Sequence, residues 1–209
     1  TKFLEKISSF NKSKLKSVEY ISKSRTPYLP YSSIILEEIM NIANPKNVIC
    51  SISGIREGSL AKDLFKNSDS NFVFNKSLEH ISKKRGDLGS TYKKYFDFIK
   101  PIFEGNEHFN QKLLHLSCVL SHMDWGLGAF QKAELVFQET LNTPLLKLSH
   151  KERIQLALSC YWRYCSIKYN PKIEYLTFLN NNEIYSCKQV GAALRFANSL
   201  TSISTIFLE

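Results

Sequence analysis

The sequence predicts a mainly α protein, and three observations carry the prediction. Apolar residues recur at spacings of three and four from about residue 68 to residue 197, with stop signals between the repeats. One short run alone, Val48-Ile49-Cys50-Ser51-Ile52, reads as a buried strand. The chain has 209 residues, 43% hydrophobic and 22% charged, which is enough to bury a substantial core without a disulfide or a metal.

Residues 1–67 form the first segment. A weak helix spans Phe3 to Phe10 and a polar stretch follows it. Pro30 opens a helix carrying Ile34, Ile35, Ile39 and Ile42, which the turn Asn44-Pro45-Lys46-Asn47 ends. The strand at Val48–Ile52 runs into Ser53-Gly54-Ile55-Arg56-Glu57-Gly58 and a helix from about Arg56 to Phe65. This is a helix–strand–helix piece of an α/β domain. One strand cannot make a sheet, so its partners are expected upstream of Thr1 or in another chain.

Residues 68–209 are helical. Phe74, Leu78 and Ile81 share a face, and Lys83-Lys84-Arg85-Gly86 supplies cations for a last turn and a glycine beyond it. Tyr92, Tyr95, Phe96, Ile99, Ile102 and Phe103 give a second helix, entered through Asp87 or Ser90 and ended near Pro101 and Gly105. Phe109, Leu113, Leu116, Leu120 and Met123 give a third, expected to pack on the second. Phe130, Ala133, Phe137 and Leu141 run to Asn142-Thr143-Pro144. Ser149-His150-Lys151-Glu152 then reads as a capping box opening a helix that buries Ile154, Leu158, Tyr161 and Cys165. Val190, Ala193, Leu194 and Ala197 mark a last helix, and Thr201 to Leu208 is β-prone.

Several classes drop out. No apolar stretch approaches the ~20 residues of a membrane span, and the first ten residues lack the apolar core of a secretory signal. Five cysteines (Cys50, Cys118, Cys160, Cys165, Cys187) without a C-x-x-C pair read as buried free thiols, as in a reducing cytoplasm. The net charge is +9, and residues 1–25 hold seven basic groups against two acidic ones, so an anionic partner is plausible.

Motifs with chemistry are sparse. Neither G-x-x-x-x-G-K-[ST] nor G-x-G-x-x-G occurs. Gly54-x-Arg56-x-Gly58 puts an arginine at a helix start, where an anion is favoured; alternatively Gly54 makes the turn and Arg56 pairs with a carboxylate inside the fold. His115 and His122 lie seven apart with Asp124 close by, but a metal site needs three or more convergent ligands. No G-x-S-x-G marks a nucleophile. Tyr92, Tyr95, Phe96 and Phe98 interleave with Lys93, Lys94 and Lys100 at helical spacing, which turns most of the rings toward a core rather than toward nucleic acid.

The ordered set of segments resembles one family. Val48 to Leu64, VICSISGIREGSLAKDL, looks like the signature near the end of the second actin-like domain of exopolyphosphatases and guanosine pentaphosphate phosphohydrolases, the Ppx/GppA phosphatases. Arg25 and the Ile34 to Ala43 helix fit the family's preceding helix. Lys84-Arg85-Gly86, Phe98 to Phe103, Leu113 to Trp125 and Leu148 to Cys165 follow the order of its helical domain, which is similar to HD phosphohydrolases.

The resemblance implies a C-terminal remnant of an actin-like (ribonuclease H-like) α/β domain over 1–67 and an HD-like all-α domain over 68–209. It implies terminal hydrolysis of polyphosphate or guanosine pentaphosphate in a cytoplasmic homodimer, with Mg²⁺ serving the full-length enzyme. At the metal motif this chain reads Ser121-His122-Met123-Asp124, with Ser for the expected His, so no metal is expected here. The family's glycine-rich phosphate loops, base glutamate and Mg²⁺ carboxylates have no match in residues 1–209. No catalytic residue is therefore expected, and the chain alone is expected to be inactive. Arg25 and Arg56 are the phosphate-contact candidates, because guanidinium matches phosphate bidentately. Two rivals are a basic all-α nucleic-acid-binding module and a non-catalytic helical adaptor with an exposed apolar groove.

Overall fold

The computed structural model describes residues 2–17, 21–48, 54–64, 70–84, 91–122, 128–143, 145, 148–169, 171 and 173–201. Among these the fold is mainly helical, with no strand. Residues 49–52 of the expected strand, the Arg85-Gly86 stop and the β-prone segment after Thr201 lie outside the described residues. The chain divides into two compact units, Thr1–Ser51 and Ile52–Glu209. The helix at Ile55–Leu64 therefore counts with the second unit, whereas the sequence boundary at residue 67 grouped it with the first.

In the first unit, helix α1 (Lys2–Ser8) packs on α3 (Leu29–Ala43), and α2 (Lys12–Lys16) packs on a 3-10 turn at Thr26–Tyr28. Asn11 starts α2 by accepting from the Lys14 amide at 3.0 Å. Asn44 ends α3 in the left-handed region, φ 41°, its amide reaching the Met40 carbonyl at 2.9 Å. The interior is small: Ile7, Leu15 and Ser33 are its buried residues among those described.

Helix α3 is turned in an unexpected direction. Ser33 is buried and donates to the Leu29 carbonyl at 2.9 Å. Tyr28, Tyr31, Ile35, Ile39 and Ile42, spaced 3, 4, 4 and 3, stand in solvent at exposures from 54% to 83%. The stripe that periodicity marks as core-facing is thus the uncovered one.

In the second unit α4 (Ile55–Leu64) leads to α5 (Ser70–Lys84), α6 (Thr91–Ile99), α7 (Gln111–Leu120), α8 (Ala129–Asn142), α9 (His150–Tyr164), the short α10 (Ile173–Leu176) and α11 (Asn181–Thr201). α9 is central and packs against α7, α8 and α11, while α6 packs on α7 and α11, and α5 on α7. The predicted pairing of the second and third helices is present. Ile154, Leu158, Tyr161 and Cys165 are buried as their spacing demands. The capping box forms in both directions: Ser149 Oγ accepts from the Glu152 amide at 3.2 Å, and Glu152 accepts from the Ser149 amide at 2.8 Å.

Residues Arg153 to Arg163 are all buried, polar ones included, so each polar group must find a partner inside. Arg153 donates to the carbonyls of Leu141, Thr143 and Leu145 and so ties down the α8–α9 connection. Gln155 reaches the His108 carbonyl at 2.8 Å, and Trp162 donates to the Tyr169 carbonyl at 2.8 Å. Gly191 of α11 meets α9 so closely that an added Cβ would lie 2.6 Å from Trp162 Cβ.

Candidate functional site

Arg25 and Arg56 lie in different units. Arg25 precedes the 3-10 turn; its amide donates to the Ser22 carbonyl at 2.9 Å and its carbonyl accepts from Tyr28. Its side chain is exposed. Arg56 sits in the first turn of α4 and is also exposed, so the alternative in which it pairs inside the fold does not hold among the described residues. The turn it occupies already holds an anion. Glu57 accepts from the Gly54 amide at 2.8 Å, and the Gly58 amide closes on the Gly54 carbonyl at 3.1 Å. A ligand phosphate at this helix start competes with a resident carboxylate, which leaves Arg56 its side chain rather than a free nest of amides.

The histidines do not converge. His80 and His150 are exposed, on α5 and α9. His115 stacks on Phe96 with centroids 4.3 Å apart and has Tyr92 at 5.6 Å and Phe74 at 6.2 Å. Its Nε2 is buried without a partner, and burial holds its pKa below the ordinary value, with Lys93 lowering it further against the pull of Asp97. Among the described residues no group of three His, Cys, Asp or Glu side chains is placed to hold a metal. Asp124 lies outside the described residues.

The segment around Ser121 holds a cation of its own. Ser121 is fully buried, and its Oγ accepts from Arg163 Nη1 at 2.7 Å. Arg163, 4% exposed, also donates from Nη2 to Asn198 Oδ1 at 2.8 Å and lies between the rings of Tyr95 and Tyr164, at 5.6 and 5.3 Å. Tyr95 bonds the same Asn198 oxygen at 3.1 Å and Thr201 Oγ1 at 2.8 Å, and Tyr164 donates to the Ser121 carbonyl at 2.7 Å. A hydroxyl facing a guanidinium is a poor ligand for a divalent ion, because the fixed positive charge repels the metal. The residues present at Ser121 do not fit a metal.

Thiol chemistry is equally disfavoured. Cys118, Cys160, Cys165 and Cys187 are free and buried. Burial pushes the Cys118 thiol far up and that of Cys187 to about 12, so neither is a thiolate at neutral pH. An open cleft of about 360 Å³ lies between the Gly105–His108 loop and Asn182, Tyr185, Ser186 and Gln189 of α11. Beside it Glu183 is buried, which alone would raise its pKa, but its bonds to Lys151 and to the Asn180 amide outweigh burial and hold the carboxyl below its ordinary range.

Sequence reasoning missed Arg163, since a lone arginine within a helical pattern reads as solvent-facing. Its contacts come from 42 residues upstream and 35 downstream. No family model matches the chain, and no curated protein matches it.

Proposed function

We propose that the chain is the binding and architectural portion of an exopolyphosphatase-like phosphoanhydride hydrolase, with inorganic polyphosphate or guanosine pentaphosphate as its anionic ligand. One observation carries the reading. The guanidinium groups of Arg25 and Arg56 face solvent without an ion pair among the described residues, on a chain of net charge +9. Exposed, unneutralised guanidinium suits an oxyanion such as phosphate, which its fork can hold bidentately. In this reading residues 1–67 belong with an actin-like α/β domain and residues 68–209 form an HD-like domain that has exchanged its metal for packing. The chemistry, with its Mg²⁺, belongs to the family's cleft motifs, which this sequence does not carry. The reading places the protein in the cytoplasm as a homodimer.

Titration with polyphosphate tests it. Wild type is expected to bind with an affinity that falls steeply with salt, and Arg56→Ala to weaken binding about three- to tenfold, the scale of one lost charge-assisted bond. An Arg56→Ala variant that binds like wild type removes Arg56 from the site, and tighter binding of RNA than of polyphosphate favours the nucleic-acid module. The helical-adaptor reading is the second, and the uncovered apolar stripe of α3 favours it.

A further inference from the structure

Among the described residues, Arg163 is a buried cation without a counter-ion. Among the described residues no carboxylate lies within ion-pair distance of it, and its Nε–H is buried with no acceptor. A charge taken out of water is strongly unfavourable unless paired, and an orphaned donor on it adds to that cost. Among the described residues, the two rings and two neutral acceptors that hold the group leave its charge uncompensated.

The position of the unsatisfied atom is informative. Nε and Nη2 form one edge of a guanidinium, the edge that grips a carboxylate or phosphate with two parallel bonds. Here Nη2 holds Asn198 Oδ1 and Nε holds nothing. A single amide oxygen therefore stands where an oxyanion with two oxygens fits. Asn198 is exposed, so it can swing into solvent and free the edge. Tyr95 Oη and Thr201 Oγ1, bonded to each other at 2.8 Å beside the amide, supply further hydroxyls next to the same edge.

We propose that Arg163, with Asn198 as a displaceable gate and Tyr95 and Thr201 at its rim, forms a site for one tetrahedral phosphoryl oxyanion at the junction of α6, α9 and α11. Inorganic phosphate and the terminal group of a longer phosphate chain share the required chemistry. The site does not depend on the Arg56 reading, and the two are separable.

The test is the thermal midpoint of the full chain, titrated with inorganic phosphate or with tripolyphosphate, against chloride at matched ionic strength. Wild type is expected to gain stability with phosphate in a saturable manner. Asn198→Asp places a carboxylate on the free edge from an exposed position. It is expected to raise the midpoint without phosphate and to weaken the phosphate response at least about tenfold. Asn198→Ala removes the gate and is expected to keep or strengthen the response. A response to tripolyphosphate but not to phosphate identifies the chain end as the ligand. No response in wild type to either anion, or an undiminished response in Asn198→Asp, overturns the proposal.

Discussion

His115 shows how a single side chain couples this fold to pH. Its imidazole lies in a box of Phe74, Tyr92 and Phe96, with Lys93, Lys112 and Asp97 as the charges nearest that box. Burial is the first cause of its depressed pKa, so the folded chain takes up this proton less readily than the unfolded one, whose histidine titrates near 6.5. Above that value the group is neutral in both states and contributes no slope. As pH falls through it the unfolded state gains protons first, and stability declines until the folded pKa is passed. His115→Phe fills the box without a titratable group. Urea midpoints between pH 7 and pH 5 should then lose the part of their acid slope that His115 supplies, and an unchanged slope would place the titration elsewhere.

The same scale explains what local sequence signals can and cannot reveal. The Ser149/Glu152 capping box was legible because both partners lie within four residues, and the structure has both of its bonds. The burial of Arg163 was not legible, since Ser121 and Asn198 reach it only through the packing of α7 and α11 on α9. Arg25 and Arg56 were legible as exposed cations. The carboxylate of Glu57 already capping the start of α4 was not foreseen, although S-x-x-[EQ]-like spacing from Gly54 to Glu57 carries that signal with glycine in the cap position.

At the scale of elements, the α9–α11 crossing depends on Gly191. Alanine there improves helix propensity by about 1 kcal/mol, but its Cβ meets Trp162 Cβ at 2.6 Å, the Trp162 carbonyl carbon at 2.8 Å and the Ser159 carbonyl oxygen at 2.9 Å. These are backbone and near-backbone atoms that cannot swing away. Overpacking should win, and Gly191→Ala is expected to lose about 2 kcal/mol in urea denaturation. A stabilised variant would mean that the two helices stand further apart.

Helix α3 makes the complementary case. Its periodicity identified the helix and its Asn44-Pro45 stop, but periodicity only says that one face is apolar, and what covers that face is a tertiary fact. Ser33 is buried while Ile35 and Ile42 remain 62% and 83% exposed. Replacing Ile35 and Ile42 with serine should therefore shift stability by no more than about 0.5 kcal/mol per site. A loss of several kcal/mol would show that the stripe is part of a core. The helices from α5 to α9 were the most legible elements because their apolar stripes face one another within a single unit.

For the molecule as a whole, the described core is built from helices whose buried polar groups are used in packing. Arg153 holds carbonyls, Gln155 holds a loop, and the buried Cys118 and Cys187 thiols are far from ionised. Among the described residues no group of three His, Cys, Asp or Glu side chains is placed to hold a metal, and the chain carries a net charge of +9. In the proposed reading the chain binds an anionic phosphate polymer, and bond cleavage belongs to motifs this sequence does not contain.

The most direct test follows polyphosphate binding by calorimetry at 50 and 200 mM salt while orthophosphate release is assayed in the same samples with Mg²⁺ present. The account predicts binding at the lower salt, an affinity at least about tenfold weaker at the higher one, and no release of orthophosphate. Absence of binding at 50 mM salt, or steady release of orthophosphate by the purified chain, would contradict it.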